Sequence, residues 1–180
     1  MTLIEQVTQE VNEVMGMIDE SQLDQAEKLI QKDKRIFVLG AGRSGLMAKG
    51  FAMRLMHIGY TVFVIGETIT PSVQAGDVLL AVSGSGKTAS ILELAEKAAA
   101  NGVTVISVTS HADSPLGKVG QAVIVVPGAT KGGDGVKSIQ LLSTLFDQSV
   151  HLTLDVLCLK LSRRDNVSNA SAAATHSNME

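Results

Sequence analysis

The chain has 180 residues, 45% apolar and 18% charged, with a formal net charge of −3, so a single domain burying about 70% of its extended surface is expected and a basic face for nucleic acid is excluded. Its one cysteine, Cys158, rules out an internal disulfide and, set in the apolar run Val156-Leu-Cys-Leu, reads as a buried, inert thiol. Four Phe, one Tyr and no Trp leave little for base stacking, so Val, Leu, Ile, Ala and Met must build the core.

Leu3, Ile4, Val7, Val11, Val14, Met15 and Ile18 recur at three- and four-residue spacing and predict an amphipathic helix over 3–19. The opening MTLIEQVTQE has neither the basic nor the apolar part of a leader, and no apolar stretch reaches the roughly 18 residues of a membrane span. A cytoplasmic protein with no membrane partner is expected. Ser21, with Asp24 three residues on, predicts the start of a second helix running through Gln31. Strands are then predicted at Arg35–Gly40, Thr61–Ile65, Val78–Ser83, Val103–Thr109 and Ala122–Val126. Helices are predicted at Ser44–His57 and Thr88–Asn101, in a short turn at Pro115–Val119, and from about Ser138 to Leu161, with Gly59 and Gly102 at helix ends. The connection Gly128–Lys137 (GATKGGDGVK) reads as mobile, and Arg163–Ala174 as a loosely structured arm.

Strict alternation of strand and helix predicts an α/β fold: a three-layer αβα sandwich on a five-stranded parallel sheet of order 2-1-3-4-5. Residues 1–33 would supply extra N-terminal helices, 34–162 the core with its long last helix, and 163–180 a C-terminal arm reaching an active site. In that order the first and third strands are neighbours at the switch point, where ligands bind beyond the carboxyl ends. Each of these strands runs into a glycine- and serine-rich turn, Gly40-Ala-Gly-Arg-Ser-Gly45 and Ser83-Gly-Ser-Gly-Lys-Thr88. Turns of this kind aim N–H groups and hydroxyls at one point, backed by a helix dipole, and suit an anion.

Two better-known patterns compete. Gly40, Gly42 and Gly45 spell the dinucleotide fingerprint, with Glu67 about twenty residues on where a ribose-binding acid would stand. A lone fingerprint is a weak signal, however, and a nicotinamide site leaves the second turn without a role. Ala81–Thr88 fits a relaxed Walker A pattern, but Ala81 and Val82 continue the strand and the remaining loop is too short to wrap a triphosphate. Nor does a convincing strand ending in Asp follow. One phosphate group suits both turns better, with the hydroxyls of Ser83, Ser85 and Thr88 and the N–H groups of Gly84, Gly86 and Lys87 on one side, and Ser44 on the other. Arg43 could pair with the phosphate or stabilise an enediolate.

The run GxGRS, then Gly66-Glu67 with Thr70-Pro71, then SGSGxT resembles the SIS (sugar isomerase) domain. The segment Ser138–Gln148 and the tail His176-x-Asn178-x-Glu180 make the resemblance closest to 6-phospho-3-hexuloisomerases, over essentially the whole chain. The sequence departs from that pattern at Lys87 and Asp147, where Glu is usual, and at Ser177, where Ala is usual. The resemblance implies interconversion of D-arabino-hex-3-ulose 6-phosphate and fructose 6-phosphate through an enediolate, in the ribulose monophosphate route of formaldehyde fixation. It implies Asp147 as the carboxylate base, with Glu67 as the alternative acid. It also implies His176 as a proton shuttle at the substrate oxygens, reaching in from the arm of its own or a neighbouring subunit.

No cofactor is implied, and the scattered histidines lack metal-ligand spacing. The other class of function is a non-catalytic sugar-phosphate sensor, which would carry a DNA-binding domain for which 180 residues leave no room; an enzyme is therefore expected. The Met-rich helix Leu46–Met56 is apolar on more than one side, so a homo-oligomer is expected, a tetramer if the resemblance holds.

Overall fold

The computed structural model describes residues 1–130 and 135–179. The tip of the glycine-rich connection and the last residue of the His-x-Asn-x-Glu tail therefore lie outside the described residues. Five strands, β1 (Arg35–Gly40), β2 (Thr61–Val64), β3 (Val78–Val82), β4 (Thr104–Thr109) and β5 (Ala122–Val125), form one parallel sheet in the order β2-β1-β3-β4-β5. The central β3, Val-Leu-Leu-Ala-Val, is buried at every residue, as a strand covered on both faces requires.

One face is covered by α1 (Leu3–Gly16), α2 (Glu20–Leu29), α3 (Gly42–His57) and α6 (Thr144–Arg164), which share a core with Val38, Leu80, Val82 and Ile124. The other is covered by α4 (Ala89–Ala100) and the short α5 (Pro115–Val119), around Phe37, Leu39, Leu79 and Val105. The expected three-layer order is observed. Along α6, Leu145, Leu154, Leu157 and Leu161 are almost wholly buried, each contributing about 1.5–3 kcal/mol by leaving water. Cys158 is buried on the same helix, and its burial pushes the thiol up to about 11, which keeps it inert as expected. No helix among the described residues is long and apolar enough to cross a membrane.

Three expectations need correction. The second helix starts two residues earlier than read, because Asp19, not Ser21, is its cap: the Asp19 carboxylate accepts the Ser21 N–H at 2.9 Å. The long helix begins at Thr144, not near Ser138. Leu142 takes the left-handed conformation, with φ of 57°, and Ile139 and Leu141 face solvent. This segment is held instead by Glu10 of α1, which accepts from the Ser138 hydroxyl, the Ile139 N–H and the Gln140 amide. Partial burial pushes the Glu10 carboxyl up, but these three donors outweigh it and hold the group below its ordinary value. Finally, the C-terminal arm is not loose. It forms α7 (Asn169–Thr175), capped by Ser168 and docked on the far end of α3, where the Thr175 hydroxyl donates to the His57 carbonyl at 2.8 Å.

Candidate functional site

β1 and β3 are hydrogen-bonded neighbours whose following helices, α3 and α4, leave to opposite faces of the sheet. The crevice this opens at their carboxyl ends holds a cavity of about 420 Å³, lined by Ala41 to Ser44, Val82 to Ser85, Thr88, Thr130, Leu142 and Ser143. The two turns read from the sequence do converge. In the first, Gly42 takes a left-handed φ of 57°, and Gly40 and Gly45 approach so closely that a Cβ on either would fall within about 3.0 Å of the other's backbone. A tight turn and close strand–helix packing thus account for the fingerprint spacing by themselves.

The helix ends carry the stronger signal. α1, α2, α5 and α7 are capped by the side chains of Thr2, Asp19, Ser114 and Ser168. α3, α4 and α6 have no side-chain cap, and their N-cap residues, Ala41, Thr88 and Ser143, all line the cavity. Among the described residues, the three uncapped helices are the three that aim at one point. The first N–H groups of α3 and α4 and all three dipole ends are left for an anion, while the Thr144 N–H that opens α6 is taken by the Leu141 carbonyl at 3.2 Å.

Hydroxyls that could have capped these helices are engaged elsewhere. Ser44 donates to Asp147 Oδ1 at 2.7 Å and Ser143 to Asp147 Oδ2 at 3.0 Å. The Thr88 hydroxyl shares a hydrogen bond of 3.0 Å with the buried Ser83 hydroxyl, which also accepts the Gly86 N–H at 3.1 Å. The Lys87 N–H is taken by Ser85 Oγ at 3.2 Å. Two expected anion ligands, the N–H groups of Gly86 and Lys87, are therefore spent inside the loop, setting its shape, and the Ser83 and Thr88 hydroxyls keep one hydrogen between them to donate. Ser85, still with its hydroxyl hydrogen to donate, Thr88, Gly84 and the helix ends face the cavity.

Arg43 lines the cavity and anchors one guanidinium nitrogen on the Thr144 hydroxyl at 2.7 Å, leaving its other donors available. The Lys87 side chain lies outside the lining and is exposed. Glu67 stands beyond β2, exposed, 3.5 Å from Lys49 and also outside the lining. Asp147 is wholly buried one hydroxyl behind the cavity wall, with no cation paired to it among the described residues. His176 is not brought to the cavity of its own chain. Its Nδ1 lies 2.9 Å from His57 Nε2 at the C-terminal end of α3, thirteen residues and about 20 Å of helix from Ser44. Thr130, Leu142 and Ser143 were not foreseen as site residues. Leu142 and Ser143 were hidden because their segment reads as helix interior, and Thr130 because it lies in an irregular connection.

A model of the SIS domain matches residues 28–152. The chain belongs to the SIS domain family. At nearly full length this SIS domain is similar to the 3-hexulose-6-phosphate isomerase of Bacillus subtilis, 35% identical over 98% of this chain and 97% of that one. It is also similar to that of Mycobacterium gastri, at 37% over 97% and 88%. Among solved structures, a Methanococcus jannaschii protein whose crystal structure led to an inferred function of 3-hexulose-6-phosphate isomerase matches with a TM-score of 0.82 at 29% identity, covering 98% of each chain. The family resemblance carried by the loop motifs is borne out.

Proposed function

We propose that this phosphosugar isomerase interconverts D-arabino-hex-3-ulose 6-phosphate and fructose 6-phosphate in the cavity between β1 and β3, in the ribulose monophosphate route of the cytoplasm. The observation that carries the reading is the convergence of three uncapped helix N-termini, with Ser85, Thr88 and Arg43, on one crevice. That is a site for a phosphate monoester. The names of the near full-length relatives supply the sugar.

Moving the carbonyl from C3 to C2 removes the C2 proton, forms an enediolate across C2 and C3, and returns a proton to C3 while O2 loses its proton and O3 gains one. Asp147 is the base we assign. Ser44 has one hydroxyl hydrogen, so it cannot donate to Asp147 and to a phosphate at once. Turning Ser44 to the substrate would free Oδ1 of Asp147 as the sugar arrives. Arg43 would stabilise the enediolate oxygen. His176, about 20 Å from its own cavity, would serve the cavity of a neighbouring copy from the docked α7.

One observation favours a second reading, a sugar-phosphate sensor: among the described residues, no carboxylate or imidazole lines the cavity. An NMR assay with enzymatically made hexulose 6-phosphate separates the two. Fructose 6-phosphate should accumulate without added metal or cofactor; binding without turnover would leave the sensor.

Removing a hydroxyl that donates to a charged group costs about 1.5–3 kcal/mol. Ser85→Ala and Thr88→Ala should each weaken fructose 6-phosphate binding by on the order of tenfold or more in calorimetry, with melting temperature little changed. Wild-type affinity in both would place the anchor elsewhere.

Assembly into a homotetramer is part of the proposal. Leu46, Met53 and Met56 of α3 and Leu152 and Leu159 of α6 are each at least a third exposed, an apolar surface that calls for a partner. Light scattering at micromolar concentration should return a multiple of 18.8 kDa; a monomer mass would refute it.

A further inference from the structure

The carbonyl oxygen of Gly84 accepts three hydrogen bonds: from the Ser110 N–H at 3.0 Å, the Ser110 hydroxyl at 2.6 Å and the Thr109 hydroxyl at 3.2 Å. A carbonyl oxygen has two lone pairs, so it is saturated. Thr109 and Ser110 are buried, at 0% and 2% exposure, and sit at the carboxyl end of β4. Thr109 is braced by the Ser114 hydroxyl at 3.2 Å, itself the cap of α5. Strand β4 lies on one side of β3, and β1, with the cavity, on the other.

That placement orients a peptide. The peptide unit is planar and trans, so a carbonyl and the N–H of the next residue point in opposite directions. Drawing the Gly84 carbonyl toward β4 turns the Ser85 N–H toward β1 and the cavity. This N–H has no partner among the described residues. The flanking carbonyls are pinned as well, Ser83 by the Gly86 N–H at 3.1 Å and Gly86 by the Leu116 N–H at 3.0 Å. A Ser-Gly-Ser-Gly loop has backbone freedom enough to flip a peptide. A flip between Gly84 and Ser85 would set a carbonyl oxygen against the anion in place of a donor.

We infer that Ser110, assisted by Thr109, is a positioning residue that locks the Gly84–Ser85 peptide with its N–H facing the bound phosphate group. The inference rests on the reading of the cavity as a phosphate-ester site, though not on which sugar is turned over.

Calorimetry on the full chain, with inorganic phosphate and with fructose 6-phosphate, tests it in wild type, Ser110→Ala and Thr153→Val. Thr153 is an equally buried hydroxyl that donates to the Ser149 carbonyl at 2.6 Å within α6, so its loss reports a purely structural effect. Ser110→Ala should bind both ligands on the order of tenfold more weakly. Thr153→Val should melt earlier yet bind as wild type. Amide NMR adds a readout that stability does not move: the Ser85 amide should be among those most shifted by phosphate in wild type, and its response should shrink in Ser110→Ala. Should Ser110→Ala not fold, the wild-type titration still decides, because an unmoved Ser85 amide overturns the inference. Unimpaired binding by Ser110→Ala overturns the inference and leaves the phosphate site standing. A wild type that binds neither ligand overturns both.

Discussion

Asp147→Asn is expected to lower turnover of hexulose 6-phosphate by about two to four decades, the span of a lost general base, while the affinity for fructose 6-phosphate changes little. Asn keeps the size of the buried side chain and can still bond the hydroxyls of Ser44 and Ser143, which reach the two carboxylate oxygens at 2.7 and 3.0 Å. The fold should therefore survive and the phosphate anchor should stay intact. Asp147→Glu keeps the carboxylate and extends it by one methylene, about 1.5 Å, from behind Ser44 toward the cavity. It should retain turnover or exceed it, at a stability cost of about 1–3 kcal/mol for an extra methylene in a packed site. Steady-state kinetics beside urea melts of the three proteins settle the assignment. Full activity in the Asn variant, with Glu67→Gln inactive, would move the base to Glu67, even though Glu67 lies outside the cavity lining in the single chain.

The largest stability effect is expected at Gly86. Its φ is 62°, and a Cβ there would fall 2.5 Å from Ser114 Cβ and 3.0 Å from the Thr109 hydroxyl. An alanine would pay the left-handed strain of about 1–2 kcal/mol. It would also displace Ser114, whose hydroxyl caps α5 through the Gly117 N–H at 3.1 Å, a bond worth about 1 kcal/mol. A loss of roughly 3 kcal/mol or more and a collapse of phosphate binding should follow. Gly42 is the matched control. It has a φ of 57°, but nothing lies within 4 Å of its added Cβ, so Gly42→Ala should cost only the strain. Equal losses in the two variants, measured by urea unfolding, would mean that crowding around the second turn is not what fixes glycine there.

The layered fold was legible in the sequence because its signals are local. Buried parallel strands such as Val78 to Val82 read as uninterrupted apolar runs, and glycines punctuate the helix ends at Gly59 and Gly102, whose φ values of 86° and 78° admit little else. The two loops were legible for the same reason, since a strand, a Gly-Ser turn and a helix follow one another within about a dozen residues, and the switch-point rule brings their ends together. Periodicity failed at Ile139, Leu141 and Leu142. Their spacing is helical, yet the decisive partner, Glu10, lies about 130 residues away in sequence, and no local pattern reports a carboxylate that captures three donors from another helix.

The division of labour inside the site belongs to the tertiary structure for the same reason. Residue types in the second turn pointed to an anion, but not to which groups would hold it. The Gly86 and Lys87 N–H groups are consumed locally, while the Gly84 carbonyl is fixed by Thr109 and Ser110 from a different strand. Asp147 could be placed on a helix from sequence, but its burial behind Ser44 and Ser143 depends on how α6 packs against α3. His176 shows the limit most plainly: the sequence resemblance suggests a role for it at the site, and the docking of α7 puts it at the opposite end of α3 from the cavity. Hydrogen-bond partners remote in sequence are chosen by packing, and packing is a property of the whole fold.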